Sequence, residues 1–132
     1  MLKGKSIMNK SNVLIVLGSD KDLEKFKGCF SMLDKFKIGY TVCEGSPYFN
    51  QDEFCNYIRE KAEENIEIVI AGSGENSYLA GSVASICSIP VIGVPIRSEN
   101  ESSVKSMLPI IEMPKGVPIA SVGINSVANQ LY

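Results

Sequence analysis

Residues Val13-Leu14-Ile15-Val16-Leu17 run without a break into Gly18-Ser19-Asp20-Lys21-Asp22. Consecutive apolar residues, instead of alternating apolar and polar ones, mark a strand of a parallel sheet covered by helices on both faces. The glycine and polar residues that follow end the strand and turn the chain into a helix. Ile68-Val69-Ile70-Ala71 and Val91-Ile92-Gly93-Val94 repeat the apolar pattern. Apolar segments open at about Val13, Tyr40, Ile66, Pro90 and Pro118, 24 to 28 positions apart, which is the length of one strand-plus-helix unit.

The intervening stretches have helical spacing. Leu23, Phe26, Phe30, Leu33 and Phe36 recur at steps of three and four, which predicts a single face packed on the core. Phe54, Ile58 and Ala62 do the same for a second helix, with Asn50 and Glu53 as a capping box at its start and Asn65 marking its end. Right-handed crossovers between such units give an open, doubly wound sheet. The expected fold is α/β: a flavodoxin-like three-layer doubly wound parallel sheet, strand order 2-1-3-4-5, in a single domain. Residues 1–12 are expected to be a loosely ordered tail and residues 13–132 the domain.

Composition narrows the function classes. The chain has 132 residues, 45% of them hydrophobic and 21% charged, with a net charge of -2. This is a globular composition, and its charge does not attract nucleic acid or anionic lipid. Arg59 and Arg97 are the only arginines, so nucleic-acid readout is not expected. Cys29, Cys43, Cys55 and Cys87 form no C-x-x-C pair, and there is no histidine to complete a metal set, so no metal site is expected. Without a long apolar span or a signal-type start, the expected setting is a reducing cytoplasm, away from membranes.

In a doubly wound sheet, ligands bind outside the carboxyl ends of the strands. The loop Gly18-Ser19-Asp20-Lys21-Asp22 opens a helix whose free N–H groups attract anions. Ser19 is a phosphate donor there, Asp22 suits ribose hydroxyls or a ligand amine, and Asp20 is a candidate cap. Glu44-Gly45-Ser46-Pro47-Tyr48-Phe49-Asn50 places two aromatic rings at the second strand's end, either to stack on a base or to pack internally. In Ala71-Gly72-Ser73-Gly74-Glu75-Asn76-Ser77, Gly72 and Gly74 allow close approach of a ligand to the backbone. The spacing is not that of a dinucleotide fingerprint. Met113-Pro114-Lys115-Gly116-Val117-Pro118 reads as a type I turn with Lys115 at its tip, either meeting a phosphate or simply solvated.

Taken together, Leu17-Gly18-Ser19-x-x-Asp22, Ala71-Gly72-x-Gly74, Leu79-x-Gly81, Pro90-Val91-x-Gly93-Val94-Pro95 and Met113-Pro114-Lys115-Gly116-Val117-Pro118 resemble the PurE family in order and spacing, from Val13 to about Leu131. The resemblance implies a flavodoxin-like, typically octameric protein of purine biosynthesis. It implies an N5-carboxyaminoimidazole ribonucleotide mutase or an aminoimidazole ribonucleotide carboxylase, working without a cofactor on a small nucleotide. The implied substrate-binding residues are Gly18, Ser19, Asp22, Ser46, Ser73, Gly74 and Lys115. Asp22 and Tyr48 are the implied catalytic positions.

Within the same resemblance, Tyr48 stands where the family has its proton-shuttling histidine, Phe49 where it has a phosphate-binding arginine, and Tyr78 where it has a second histidine. A positioned acid or base contributes about 10²- to 10⁴-fold, and only about one tyrosine in a thousand is ionised at neutral pH. Three readings follow. One is a divergent mutase or carboxylase that moves protons through Asp22, Tyr48 or Glu75. Another is a non-catalytic nucleotide- or phosphosugar-binding protein that acts by binding or assembly. In the third the matching loops persist for packing and turn geometry alone.

Overall fold

In a computed structural model, which describes residues 11–45, 50–74, 78–97 and 103–126, the first apolar run is strand β1 (Val13–Leu17), buried at every position. It lies between β2 (Tyr40–Glu44) and β3 (Ile68–Ser73). Strand β4 (Val91–Pro95) pairs with β3, and the two-residue β5 (Ala120–Ser121) forms the far edge. Every pairing is parallel and the order is β2-β1-β3-β4-β5, as the sequence rhythm predicts. Pro90 and Pro118 stand just outside their strands, because proline has no N–H for the ladder. The expected tail falls mostly on residues 1–10, which lie outside the described residues.

Alternation along the strands divides the core in two. Leu14, Val16, Cys43, Val69, Ala71 and Val91 meet Phe54 and Ile58 of helix α2 (Gln51–Glu63) and Leu79 and Val83 of helix α3 (Leu79–Ile86). On the other face Ile15, Leu17, Val42, Ile70 and Val94 meet Phe26, Cys29 and Leu33. These three come from a pair of 3-10 turns, Asp20–Asp22 and Glu24–Phe26, and from helix α1 (Lys27–Lys35). Helix α4 (Ser103–Ile111) brings Ile110 over Gly93, where an added Cβ would lie 3.2 Å from it. Full burial of such an apolar side chain contributes about 1.5–3 kcal/mol, so covering both faces is what fixes the sheet.

The predicted face Leu23 to Phe36 needs correction at its end. Phe36 is 53% exposed. The segment begins as 3-10 turns with three residues per turn, so the phase of the face drifts from the α-helical one. Phe36 is also the C-cap. There the Lys37 N–H donates to the Asp34 carbonyl at 3.1 Å and the Ile38 N–H to the Leu33 carbonyl at 2.9 Å. Together these form a Schellman motif, with Lys37 at φ 57° in the left-handed position. The start of α2 is as predicted: Asn50 Oδ1 accepts the Glu53 N–H at 3.1 Å. So is the end: the helix stops at Glu63, its cap is Glu64, and Asn65 is the first residue past the cap. Among the described residues no helix is long and apolar enough to cross a membrane.

Candidate functional site at the carboxyl edge of the sheet

The strand order reverses between β1 and β3, and there the strand ends are tied into one rim. The Gly45 N–H donates to the Leu17 carbonyl at 2.9 Å, the Gly18 N–H to the Gly72 carbonyl at 3.2 Å, and the Ile96 N–H to the Ser73 carbonyl at 3.2 Å. Gly18 and Ser73 lie side by side, since a Cβ on Gly18 would sit 3.4 Å from Ser73 Oγ. Ser73 is buried, and so is Asp22 in the first turn after β1. The structure therefore brings Gly18, Ser19, Asp22, Ser73 and Gly74 to one edge, on connections that are adjacent in space and far apart in sequence.

Two local assignments change. The cap of the turn after β1 is Ser19, not Asp20. Its Oγ accepts the Lys21 N–H at 3.3 Å and donates to Asp20 Oδ1 at 3.3 Å. Asp20 is exposed, and Asp22 is the acid held in the rim. The glycines of the β3 loop have an internal reason as well. A Cβ on Gly72 would fall 2.5 Å from Phe26 Cζ, and one on Gly74 would fall 2.8 Å from the Ile96 carbonyl oxygen. The space the sequence reading kept for a ligand is, in those two directions, filled by the protein.

Lys115 is exposed on the turn that leads into β5 instead of on a loop that follows a strand. That turn is not type I. The Val117 N–H donates to the Pro114 carbonyl at 3.2 Å, and Gly116, third in the turn, has φ +91°. A positive φ at that place defines a type II turn and calls for glycine. Ser46, Tyr48, Phe49 and Glu75 lie outside the described residues.

Two features of the rim were missed by the sequence reading. Glu44 ends β2 beside Leu17, and its Oε1 is buried with no hydrogen-bond partner among the described residues. Lys25, on the second 3-10 turn, donates from Nζ to the Arg97 carbonyl at 2.9 Å. The signal for Glu44 is an acid closing an otherwise apolar strand. Lys25 carries no local signal.

Burial keeps three titratable groups of the sheet and of α2 neutral. Burial, reinforced by the Glu44 charge, pushes the Cys43 thiol up to about 12. Burial also raises Tyr57, helped by Cys43 and Glu64, and raises Tyr40, helped by Asp34. None of these three is a base or nucleophile at neutral pH. All four cysteines are free thiols. Among the described residues no group of His, Cys, Asp or Glu is placed to hold a metal ion. What the rim can do is hydrogen-bond a polar ligand through backbone N–H groups, hydroxyls and the carboxylates of Asp22 and Glu44.

A model of the AIR carboxylase family matches residues 12–130. The N5-carboxyaminoimidazole ribonucleotide mutase of Thermotoga maritima is 39% identical over 115 residues, covering 87% of this chain and 67% of the relative. The phosphoribosylaminoimidazole carboxylase of Schizosaccharomyces pombe is 39% identical over 115 residues, but the chain spans only 21% of that protein. Among solved structures, Treponema denticola PurE superposes with a TM-score of 0.79 at 23% identity, covering 90% of this chain and 75% of that one. At that identity the likeness speaks for the flavodoxin-like fold.

Proposed function

The chain belongs to the AIR carboxylase (PurE) family, and on that premise we propose that it acts in purine biosynthesis on aminoimidazole ribonucleotide or its N-carboxylated form. The observation that carries the reading is the rim itself: Gly18, Ser19 and Asp22 after β1 packed beside Ser73 and Gly74 at the point of strand-order reversal. In the mutase reaction the carbamate C–N bond breaks, releasing carbon dioxide and returning a proton to the amine. The ring carbon then attacks the carbon dioxide and gives up its own proton, so one proton enters and one leaves.

In this chain Asp22 and Tyr48 are the groups we assign to that transfer, with Gly18, Ser19, Ser46, Ser73 and Gly74 holding the nucleotide. A carboxylate accepts a proton more readily at neutral pH than a phenol does, which favours Asp22 as the acceptor. No cofactor is required. We take the working form to be a cytoplasmic homo-oligomer, a reading supported by the exposed Leu108 and Ile111 on α4 and by the free thiols.

The test is isomerisation of N5-carboxyaminoimidazole ribonucleotide by the purified protein, with Asp22→Asn as the control. Turnover above the uncatalysed rate that falls about 10²-fold or more in the variant supports the assignment. A wild-type protein that turns over nothing removes the catalytic reading. A second reading rests on a specific observation: a chain with no histidine is suited to binding the ribonucleotide without converting it. Calorimetric binding of aminoimidazole ribonucleotide, weakened by Ser19→Ala and without turnover, would select that reading.

A further inference from the structure

Glu44 closes β2 where the strand leaves the sheet. Its Cα is in register with Leu17, and the next residue, Gly45, donates its N–H to the Leu17 carbonyl at 2.9 Å. The backbone of Glu44 is thus held against the last residue of β1, one position before Gly18. Successive residues of a strand alternate between faces. Cys43 packs on the α2 and α3 side, whereas Tyr40, Val42 and Leu17 pack on the other. Glu44 therefore shares the face that Phe26 and α1 cover. The connection carrying Asp22, itself buried, crosses that same face.

An acid at this place costs stability. Oε1 of Glu44 is buried and has no hydrogen-bond partner among the described residues. The two ion pairs among those residues join Lys27 to Glu24 and Lys61 to Glu64, so neither offsets the Glu44 carboxylate. An apolar residue, such as Val42 two positions earlier on the same face, would carry no such penalty. A buried acceptor without a donor needs an explanation, and at a ligand-binding edge the explanation is a donor on the ligand.

Chemistry narrows the donor. A carboxylate only accepts. Ribose hydroxyls both donate and accept, so hydroxyls and backbone N–H groups serve them as well. The amine of an aminoimidazole, whose lone pair is drawn into the ring, only donates, and it has two N–H bonds. Those bonds match two carboxylates, Asp22 and Glu44, on one side of the sheet.

We propose that Glu44 is a specificity-determining residue: its carboxylate accepts an N–H of the ligand's exocyclic amine and so selects an amino-substituted imidazole over one without the amine. The inference rests on the ribonucleotide reading above and adds a residue to it. A site that hydrogen-bonds an N–H rejects the analogue lacking it, because the buried acceptor is then left unpaired.

The test is calorimetry of the full chain with two probes that share ribose and phosphate: aminoimidazole ribonucleotide, and imidazole ribonucleotide, which lacks the amine. The wild type should hold the first about tenfold more tightly or better. Glu44→Leu should abolish that preference by weakening only the amine-bearing probe. Glu44→Gln, which keeps an acceptor oxygen without the charge, should retain part of it. Urea midpoints without ligand should match or exceed that of the wild type, because a buried oxygen with no partner has been removed or made neutral. An unchanged preference in Glu44→Leu overturns the proposal, as does an equal loss for both probes. A midpoint that falls in both variants gives Oε1 a partner within the fold and overturns it too. Should Glu44→Leu not fold, Glu44→Gln decides, since its preference must lie below that of the wild type. A wild type that binds both ribonucleotides equally removes the role of Glu44 and leaves the ribonucleotide reading standing. Binding of neither removes both.

Discussion

Replacing Gly72 with alanine puts the packing beneath the rim to a direct test. The new Cβ would lie 2.5 Å from Phe26 Cζ, 2.6 Å from Cε2 and 3.3 Å from Ile96 Cδ1. Carbon atoms rest at about 3.5–4.0 Å, so the ring must withdraw by about 1 Å. Phe26 is 0% exposed, and its neighbour Lys25 is tied to the Arg97 carbonyl, so the ring has no open direction to take. Overpacking of this kind costs about 1–3 kcal/mol. With the ring enclosed we expect the upper part of that range, about 2–3 kcal/mol, or a fall of roughly 7–11 °C in Tm for a domain of this length. Urea unfolding followed by far-UV circular dichroism should show a lower midpoint at unchanged slope. Phe26→Leu, itself destabilising by leaving a void, should remove most of the added penalty in the double variant. The expected coupling is at least about 1 kcal/mol. Additive costs, or a Gly72→Ala midpoint equal to the wild type, would refute the placement of the ring under Gly72.

Three further outcomes follow from local geometry. Lys37→Gly should raise stability by about 0.5–1 kcal/mol in the same urea assay, because Lys37 holds the left-handed position of the α1 Schellman motif at φ 57° and glycine does so without a Cβ penalty. Asn50→Ala should lower it by about 1 kcal/mol through loss of the 3.1 Å cap to the Glu53 N–H. The protein should also lose stability in alkali. The Cys43 thiol is raised from 9.0 in the unfolded chain to about 12 in the fold. Its contribution is therefore whole below about pH 9 and declines as pH climbs toward about 12. Tyr57 is raised too and adds in the same sense. Urea midpoints measured from about pH 8 to about pH 11 should fall, and Cys43→Ala should flatten the fall.

The framework was legible because its signals are local and repeat. Five apolar residues in a row, closed by Gly18 and repeated at the interval of one strand-plus-helix unit, read as a strand covered on both faces, and Val13–Leu17 is that strand. Asn50 and Glu53 are three apart and cap α2 as the pair predicts. Phe36 misled because helical periodicity assumes a constant turn, and two 3-10 turns precede α1. Gly116 misled because proline and glycine occur in both common turn types, and only the sign of φ separates them. Gly72 and Gly74 drew attention correctly but for an incomplete reason. Glycine in a loop marks a close approach without saying what approaches, and here Phe26 and Ile96 do.

The contact between Lys25 and the Arg97 carbonyl was illegible for a different reason. No spacing links residues 72 positions apart; only the parallel order, which sets the connection after β1 near that after β4, brings them together.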